Sequence, residues 1–361
     1  MKYHVKETGH TGLVEKTAGG KARADAEAIF EEIGLKKLRI PSIDDRENPE
    51  KFIIKKLLKH YKTKKAWKAR TAKLNKGDVV FVQFPLLEHS IFLKPVFKTL
   101  SKKGVRVYLL IHDLEYIRIS GRADVGFMKR KRLAMEEQIL RTVTGVIVHN
   151  KAMKKYLIGL GYDENKLIDL EIFDYLIPDY DEEKINERPN EKDMGVIVAG
   201  SLHPKKSRYI YNAPETLKLN LFGINYDDRG LKNHNYKGSF MPDELPFVLE
   251  GSFGLVWDGD TADTCSGVYG EYLRLNNPHK TSLYLASSIP VIIWDQAALA
   301  DFVEENGCGI KVSSLQEIPG ILSNMSEDKY RELTEGAKAV SERLRAGYYT
   351  KKAVNQCMEL K

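Results

Sequence analysis

Lys280 lies in the stretch GVYGEYLRLNNPHKTSLYLASSIPVIIW, Gly267 to Trp294. The stretch reads as a polar loop with Asn276, Asn277 and Pro278, then a short helix from Lys280 to Ala286. Pro290 breaks it, and Val291–Trp294 has the apolar run of a buried strand. Lys280 therefore falls in the first turn of a helix. Such a terminus offers unpaired N–H groups and partial positive charge, which suit a phosphate, and a lysine there adds a full charge. A solvated surface lysine would read the same way. A second basic loop, Gly200-Ser201-Leu202-His203-Pro204-Lys205-Lys206, follows the apolar run Gly195–Ala199. If the two loops share a cleft, Lys205 and Lys280 clamp a diphosphate, and a departing diphosphate is stabilised without a metal. Asp258-Gly259-Asp260 has the look of a D-x-D metal site. Aspartates around a glycine are also ordinary turn chemistry, so no metal site is expected. Neither GxxxxGK[ST] nor GxGxxG after a strand occurs, which leaves a P-loop ATPase and a plain dehydrogenase without support.

These residues need a scaffold, and the chain supplies strands alternating with helices. Residues 1–178 read as one α/β domain, with strands near Lys2–Glu7, Lys37–Ile40, Asp78–Phe84, Val105–Ile111 and Gly145–Val148, and a helix from about Ala22 to Ile33 after the glycine loop Thr17–Lys21. Such alternation implies a parallel sheet covered on both faces. Ligands of open α/β sheets bind beyond the carboxyl ends of the strands. Gln83 and Pro85, His112, Asp113 and Glu115, and His149 and Asn150 stand there. Charged, apolar-poor residues 179–193 form the linker. A second α/β domain covers 194–344, with strands near Gly195–Ala199, Leu217–Phe222, Asn235–Phe240, Phe253–Trp257 and Val291–Trp294. The helical tail from Glu327 is expected to return to the first domain over about 345–361.

At 361 residues two domains are the natural expectation. No apolar run is long enough to span a bilayer, and MKYHVKETGH lacks an apolar signal core, so a cytoplasmic chain is expected. Cys265, Cys308 and Cys357 have no CxxC spacing, which argues against a disulfide framework or structural zinc. The net charge of +7 is concentrated: 11 of the 57 Lys and Arg lie between Lys51 and Lys76, where there is no acidic residue, leaving 46 against 50 acidic residues elsewhere. At helical spacing Ile53, Ile54, Leu57, Leu58 and Tyr61 cover one arc, and Lys51, Lys55, Lys59 and Lys62 the opposite one. A surface helix with a solvated lysine face fits this pattern. So does a dock for a polyanion or for an anionic membrane surface, the latter at the inner face of the cell membrane, extended by Met128–Arg132. Nucleic acid is not expected, since no aromatic-rich strand or recognition helix accompanies the charge.

WDGDTADTCSGVYGEYLRLNNPHKTSLYLASSIPVIIW resembles the C-terminal half of bacterial GT-B glycosyltransferases, in a group that includes β-1,6-galactofuranosyltransferases and the glucosyltransferases that extend GlcNAc on serine-rich repeat adhesins. TAGGKARADAEAIFEEIG, DVVFVQFPL, IHDLEYIR, AGSLHPKKSRYIY and YKGSFMPDELP match in order, so the likeness covers most of the chain. It implies a GT-B fold, two Rossmann-like domains facing each other across a cleft, and a UDP-sugar donor held by the second. It implies that Asn277 and Lys280 contact ribose or diphosphate, that Ser201 and Lys205 (or Lys206) reach the diphosphate, and that Phe240 lines the uracil. The loop from Thr17 to Lys21, with Gly19 and Gly20, would close over the donor from the first domain. The group reads as metal-independent, with no cofactor beyond the donor. An inverting transfer needs a general base on the acceptor hydroxyl. Asp113 is the candidate, with Glu88, His89 and Glu115 as rivals, while His279 shapes its loop. The expected activity is transfer of a hexose (galactofuranose, or glucose or galactose) to a glycan on lipid or protein; a homo-oligomer is an allowed state. The competing readings are a non-catalytic UDP-sugar-binding subunit of a partner transferase and an anion- or membrane-docking protein.

Overall fold

The structure is a computed structural model and describes residues 1–8, 18–41, 52–87, 90–118, 126–189 and 191–360. Its strands form two six-stranded sheets, each parallel throughout. The first contains β1 (Lys2–Thr8), β2 (Lys36–Pro41), β3 (Val79–Phe84), β4 (Arg106–Ile111), β5 (Gly145–Val148) and β6 (Leu167–Asp169), in the order β2-β1-β3-β4-β5-β6. The second contains β7 (Val196–Ser201), β8 (Leu219–Ile224), β9 (His234–Gly238), β10 (Phe253–Val256), β11 (Val291–Trp294) and β12 (Gly309–Val312), in the order β12-β11-β10-β7-β8-β9. A parallel strand covered on both faces reads as a continuous apolar run. Every residue of β3, β5, β10 and β11 is accordingly buried.

Between the strands of the first sheet run α1 (Ala18–Glu32), α2 (Phe52–Thr71), α3 (Lys94–Lys102), the single turn α4 (Glu115–Arg118) and α5 (Phe127–Leu140). Right-handed crossovers put α2, α3 and α5 on one face of the sheet and α1 on the other; α2 packs on α3, and α3 on α5. In each sheet the chain reverses direction once, between β1 and β3 and between β7 and β10. Open α/β sheets form a ligand crevice at that point. The helix Glu327–Arg345 covers the second domain. After Gly347, which adopts a left-handed φ of 68°, the helix Tyr348–Glu359 packs on α1 and β6 of the first. The Asp174 carboxylate fixes that return by accepting the backbone N–H of Tyr349 (3.1 Å) and Thr350 (2.6 Å).

Several expectations need correction. The edge strands β6 and β12 are additional to the expected ones. Residues 179–193 contain a short helix, Glu182–Glu187, whose Asp181 cap accepts from the Lys184 N–H. Gly19 and Gly20 lie in the first turn of α1, not in an open loop; Thr17 falls outside the described residues. The largest change concerns α2. Its buried face is His60, Thr63, Trp67 and Thr71, whereas Leu57, Leu58 and Tyr61 point to solvent. Trp67 is the anchor, fully buried with its ring 5.5 Å from Phe97. An indole buries more apolar area than a leucine. The threonines enter cheaply because each hydroxyl bonds the carbonyl four residues back, Thr63 to Lys59 and Thr71 to Trp67.

Candidate active site

The carboxyl ends of both sheets face one cleft, which holds two cavities. An apolar cavity opens beside the ends of β7, β8 and β9, lined by Gly200, Phe222, Gly223, Ile224, Ser239 and Phe240 from the second domain and by Lys21 from the first. Bare backbone forms one wall for a steric reason. A Cβ on Gly223, whose φ is 155°, would stand 1.7 Å from the Gly200 carbonyl oxygen. The Phe222 and Phe240 rings, 6.2 Å apart, supply apolar surface. Flat walls of bare backbone and apolar rings suit a planar base, which is apolar on its faces.

The second cavity is polar and lies between the domains. Glu115, Arg118 and Lys129 line it from the first; Lys205, Asp260 and the Ser266–Tyr269 segment line it from the second. Lys205 is exposed there. Lys206 holds the loop, its carbonyl accepting the Gly259 N–H. Ser201 ends β7, and its carbonyl accepts the Ser207 hydroxyl at 2.8 Å. Lys280 lines the apolar cavity instead, so the two lysines do not oppose each other in one cavity. Its ammonium donates to the Trp257 carbonyl (2.8 Å) and to the Asp258 carboxylate (3.0 Å). Burial opposes its charge most strongly, but Asp258 together with Tyr284 and Cys265 outweighs it, and its pKa lies above the ordinary lysine value. Asp258 is thus paired, and Asp258 and Asp260 are not an open dicarboxylate. Among the described residues no group of three or more metal-type ligands occurs.

Asp113 follows β4 at the first-domain wall. One carboxylate oxygen meets Arg118 at 3.0 Å; the other is buried without a partner. Glu115 is engaged by Lys129 and Arg132. Glu88 and His89 lie outside the described residues.

Asn277 is placed elsewhere than expected. It is 4% exposed, and its side chain is spent on the first domain. Its amide donates to the carbonyls of His149 and Glu171 and accepts from Asn150 at 2.7 Å, while its backbone N–H donates to His149 Nδ1 at 2.9 Å. Asn277 therefore clasps the domains together, and the ribose or diphosphate contact expected of it does not fit this placement. Around the clasp His112, His149 and His279 gather on the Phe173 ring. Burial lowers all three, His149 and His279 to about 3 and His112 well below the usual value; buried His4 falls to about 4. Burial also lowers His234, and it pushes three carboxyls the other way, Asp25 to about 6, Asp174 to about 7 and Asp169 above its usual value. The histidines bind extra protons in the unfolded state below about pH 6.5; the three carboxyls bind extra protons in the folded state. Five against three leaves stability falling on acidification from about pH 6 to 5, by up to about 2–3 kcal/mol per unit. Urea unfolding at both pH values checks this: an unchanged or higher midpoint at pH 5 would contradict it.

Sequence reasoning reached Lys21 only as the end of the loop Thr17–Lys21, and left two other participants, Arg118 and Tyr272, out. Lys21, 6% exposed, reaches Asp25, the Leu176 carbonyl and Asp243 of the second domain, each at 2.7 Å. Arg118 lies over the Tyr269 and Tyr272 rings. The buried Tyr272 hydroxyl accepts the Leu114 N–H at 2.9 Å across the cleft. Helical spacing identifies none of them, because each acts between domains.

Two family models cover nearly the whole chain: glucosyltransferase 3-like, N-terminal domain, over residues 2–172, and glucosyltransferase 3-like, C-terminal domain, over residues 196–357. The chain belongs to the glucosyltransferase 3-like family. It is 38% identical over 290 residues to the β-1,6-galactofuranosyltransferase WbbI of Escherichia coli K12, covering 79% of this chain and 81% of that protein. This member of the glucosyltransferase 3-like family is thus a glycosyltransferase, and its fold is GT-B. Among solved structures, sucrose-phosphate synthase of Thermosynechococcus elongatus has a TM-score of 0.60 at 15% identity, covering 100% of this chain and 98% of that one. Anabaena HepE in complex with UDP also has a TM-score of 0.60, at 11% identity, with 100% of both chains covered.

Proposed function

We propose that the chain transfers a hexose, galactofuranose or else glucose or galactose, from a UDP-sugar to a hydroxyl of a glycan acceptor in surface polysaccharide or glycoprotein glycan synthesis. The observation that carries this is an apolar, backbone-walled cavity together with a polar cavity between the domains that is lined by Lys205 on one side and on the other by Arg118, which pairs with Asp113. Uracil enters the first cavity against Phe240, with Lys280 beside the ribose. The diphosphate lies toward Ser201 and Lys205, and the sugar reaches into the polar cavity. Asp113 takes the proton of the acceptor hydroxyl, whose oxygen attacks the anomeric carbon. The bond from that carbon to the diphosphate breaks, and UDP leaves with the bonding pair. Lysine stabilises the charge as it forms, so this reading needs no metal. The name of the E. coli relative and the UDP held by HepE support the donor. An acceptor carried on lipid would be met through a peripheral membrane contact of the Lys51–Lys76 segment.

Thermal unfolding with UDP, ADP and GDP at equal concentration, with and without EDTA, tests the donor site. Ligand at a hundredfold excess over Kd stabilises the folded state by about 2.7 kcal/mol. The expected result is a shift with UDP alone, insensitive to EDTA and reduced in Lys280→Ala and in the exposed-site variant Lys205→Ala. Equal shifts with all three nucleotides, or none, would remove the donor assignment; a shift abolished by EDTA would remove metal independence.

A further inference from the structure

No part of the donor site uses the outward face of α2. In its N-terminal half that face carries Leu57, Leu58 and Tyr61, 38%, 51% and 58% exposed. In the C-terminal half it carries Lys62, Lys65 and Lys68, all exposed. No acidic residue occurs between Glu50 and Asp78 to neutralise them. Two helices away in the same layer, α5 begins with Phe127, 69% exposed, with the Lys131 ammonium over its ring at 4.6 Å. Both apolar ends lie on the cleft side. Helices of a parallel α/β sheet start where the strands end, and the Ser90 hydroxyl, beyond β3, bonds the His60 carbonyl of α2 at 3.1 Å. The layer thus presents apolar side chains next to the cleft and cations behind them.

We propose that the outward faces of α2 and of the first turn of α5 form one surface that seats on an anionic lipid bilayer. Apolar side chains enter the headgroup boundary while lysines pair with lipid phosphates; an interfacial helix has this composition, and a spanning helix does not. Among the described residues no helix is long and apolar enough to cross a membrane. Insertion explains why leucines and a tyrosine face water beside lysines, which a simple polyanion site would not require. Seated this way, the cleft opens toward the bilayer, and a lipid-borne acceptor reaches Asp113 without leaving it. The proposal deepens the membrane contact of the donor reading, but its test does not depend on the chemistry.

Flotation with vesicles of phosphatidylcholine alone, and of phosphatidylcholine mixed with phosphatidylglycerol, decides it. The full chain is expected to float with the mixed vesicles only. Each surface lysine near an anionic leaflet contributes roughly fivefold in partition, so Lys62→Gln with Lys65→Gln lowers binding roughly thirtyfold. Leu58→Ser with Tyr61→Ser lowers it at least about tenfold through lost apolar burial. Equal binding to neutral vesicles overturns the proposal. So does full binding by the Leu58→Ser, Tyr61→Ser variant, which would leave only a polyanion patch open to nucleic acid. Both variants replace exposed side chains and should melt with the native chain and keep the UDP shift. A failure here is therefore separable from a failure of the donor site.

Discussion

Asp113→Asn is expected to lower kcat by about 10²–10⁴-fold, the usual contribution of a positioned base, and to leave UDP binding unchanged. The variant keeps the shape of the side chain and one oxygen for Arg118, 3.0 Å away in the native chain. It loses the ability to take a proton. The surrounding loop stays fixed, because the Leu114 N–H is held by the Tyr272 hydroxyl and Arg118 lies against the Tyr269 and Tyr272 rings. The apolar cavity assigned to the base of UDP belongs mainly to the other domain, so the UDP-induced shift should match that of the native chain. Glu115 is the internal control. Its carboxylate is already divided between Lys129 and Arg132, and Glu115→Gln should cost far less than Asp113→Asn. Product formation under donor saturation measures both. Full turnover by Asp113→Asn would mean that another group takes the proton, or that transfer proceeds with retention and needs no such base.

What was legible in the sequence follows from local physics. β3, β4, β10 and β11 are apolar runs bounded by polar residues, because a central parallel strand is covered on both faces. β6 and β12 lie at the sheet edges with three and four residues, too short for a periodic signal. The outward face of α2 was misread for a related reason. Counting apolar side chains favours Leu57 and Leu58, yet one Trp67 and two self-satisfied threonines decide the buried side. Lys205, Phe240 and Lys280 do line the two cavities. Their placement was legible because the loops that carry them follow strands directly. The contacts of Lys21 with Asp243, of Tyr272 with Leu114 and of Asn277 with His149 were not, since each partner lies more than a hundred residues away and only the meeting of two domains supplies it.

Asn277 separates those two kinds of information. As a ligand residue its loss would weaken UDP binding and leave stability alone; as a clasp, the reverse. The geometry predicts the reverse. Asn277→Ala leaves the His149 and Glu171 carbonyls and one Asn150 amide hydrogen without their partner in a buried seam. Each such group costs roughly 1–3 kcal/mol. The Asn150 amide retains the Leu275 carbonyl at 3.0 Å, so the two carbonyls dominate and a total of about 2–6 kcal/mol follows. Asn277→Asp should be no milder, because it sets a carboxylate oxygen against the same two carbonyls. Urea unfolding, with UDP titrated under conditions where the variant remains folded, measures both quantities. A lowered midpoint with native UDP affinity places Asn277 in the seam. An unchanged midpoint with lost affinity would return it to the donor site, and would mean that the seam opens to receive the ligand.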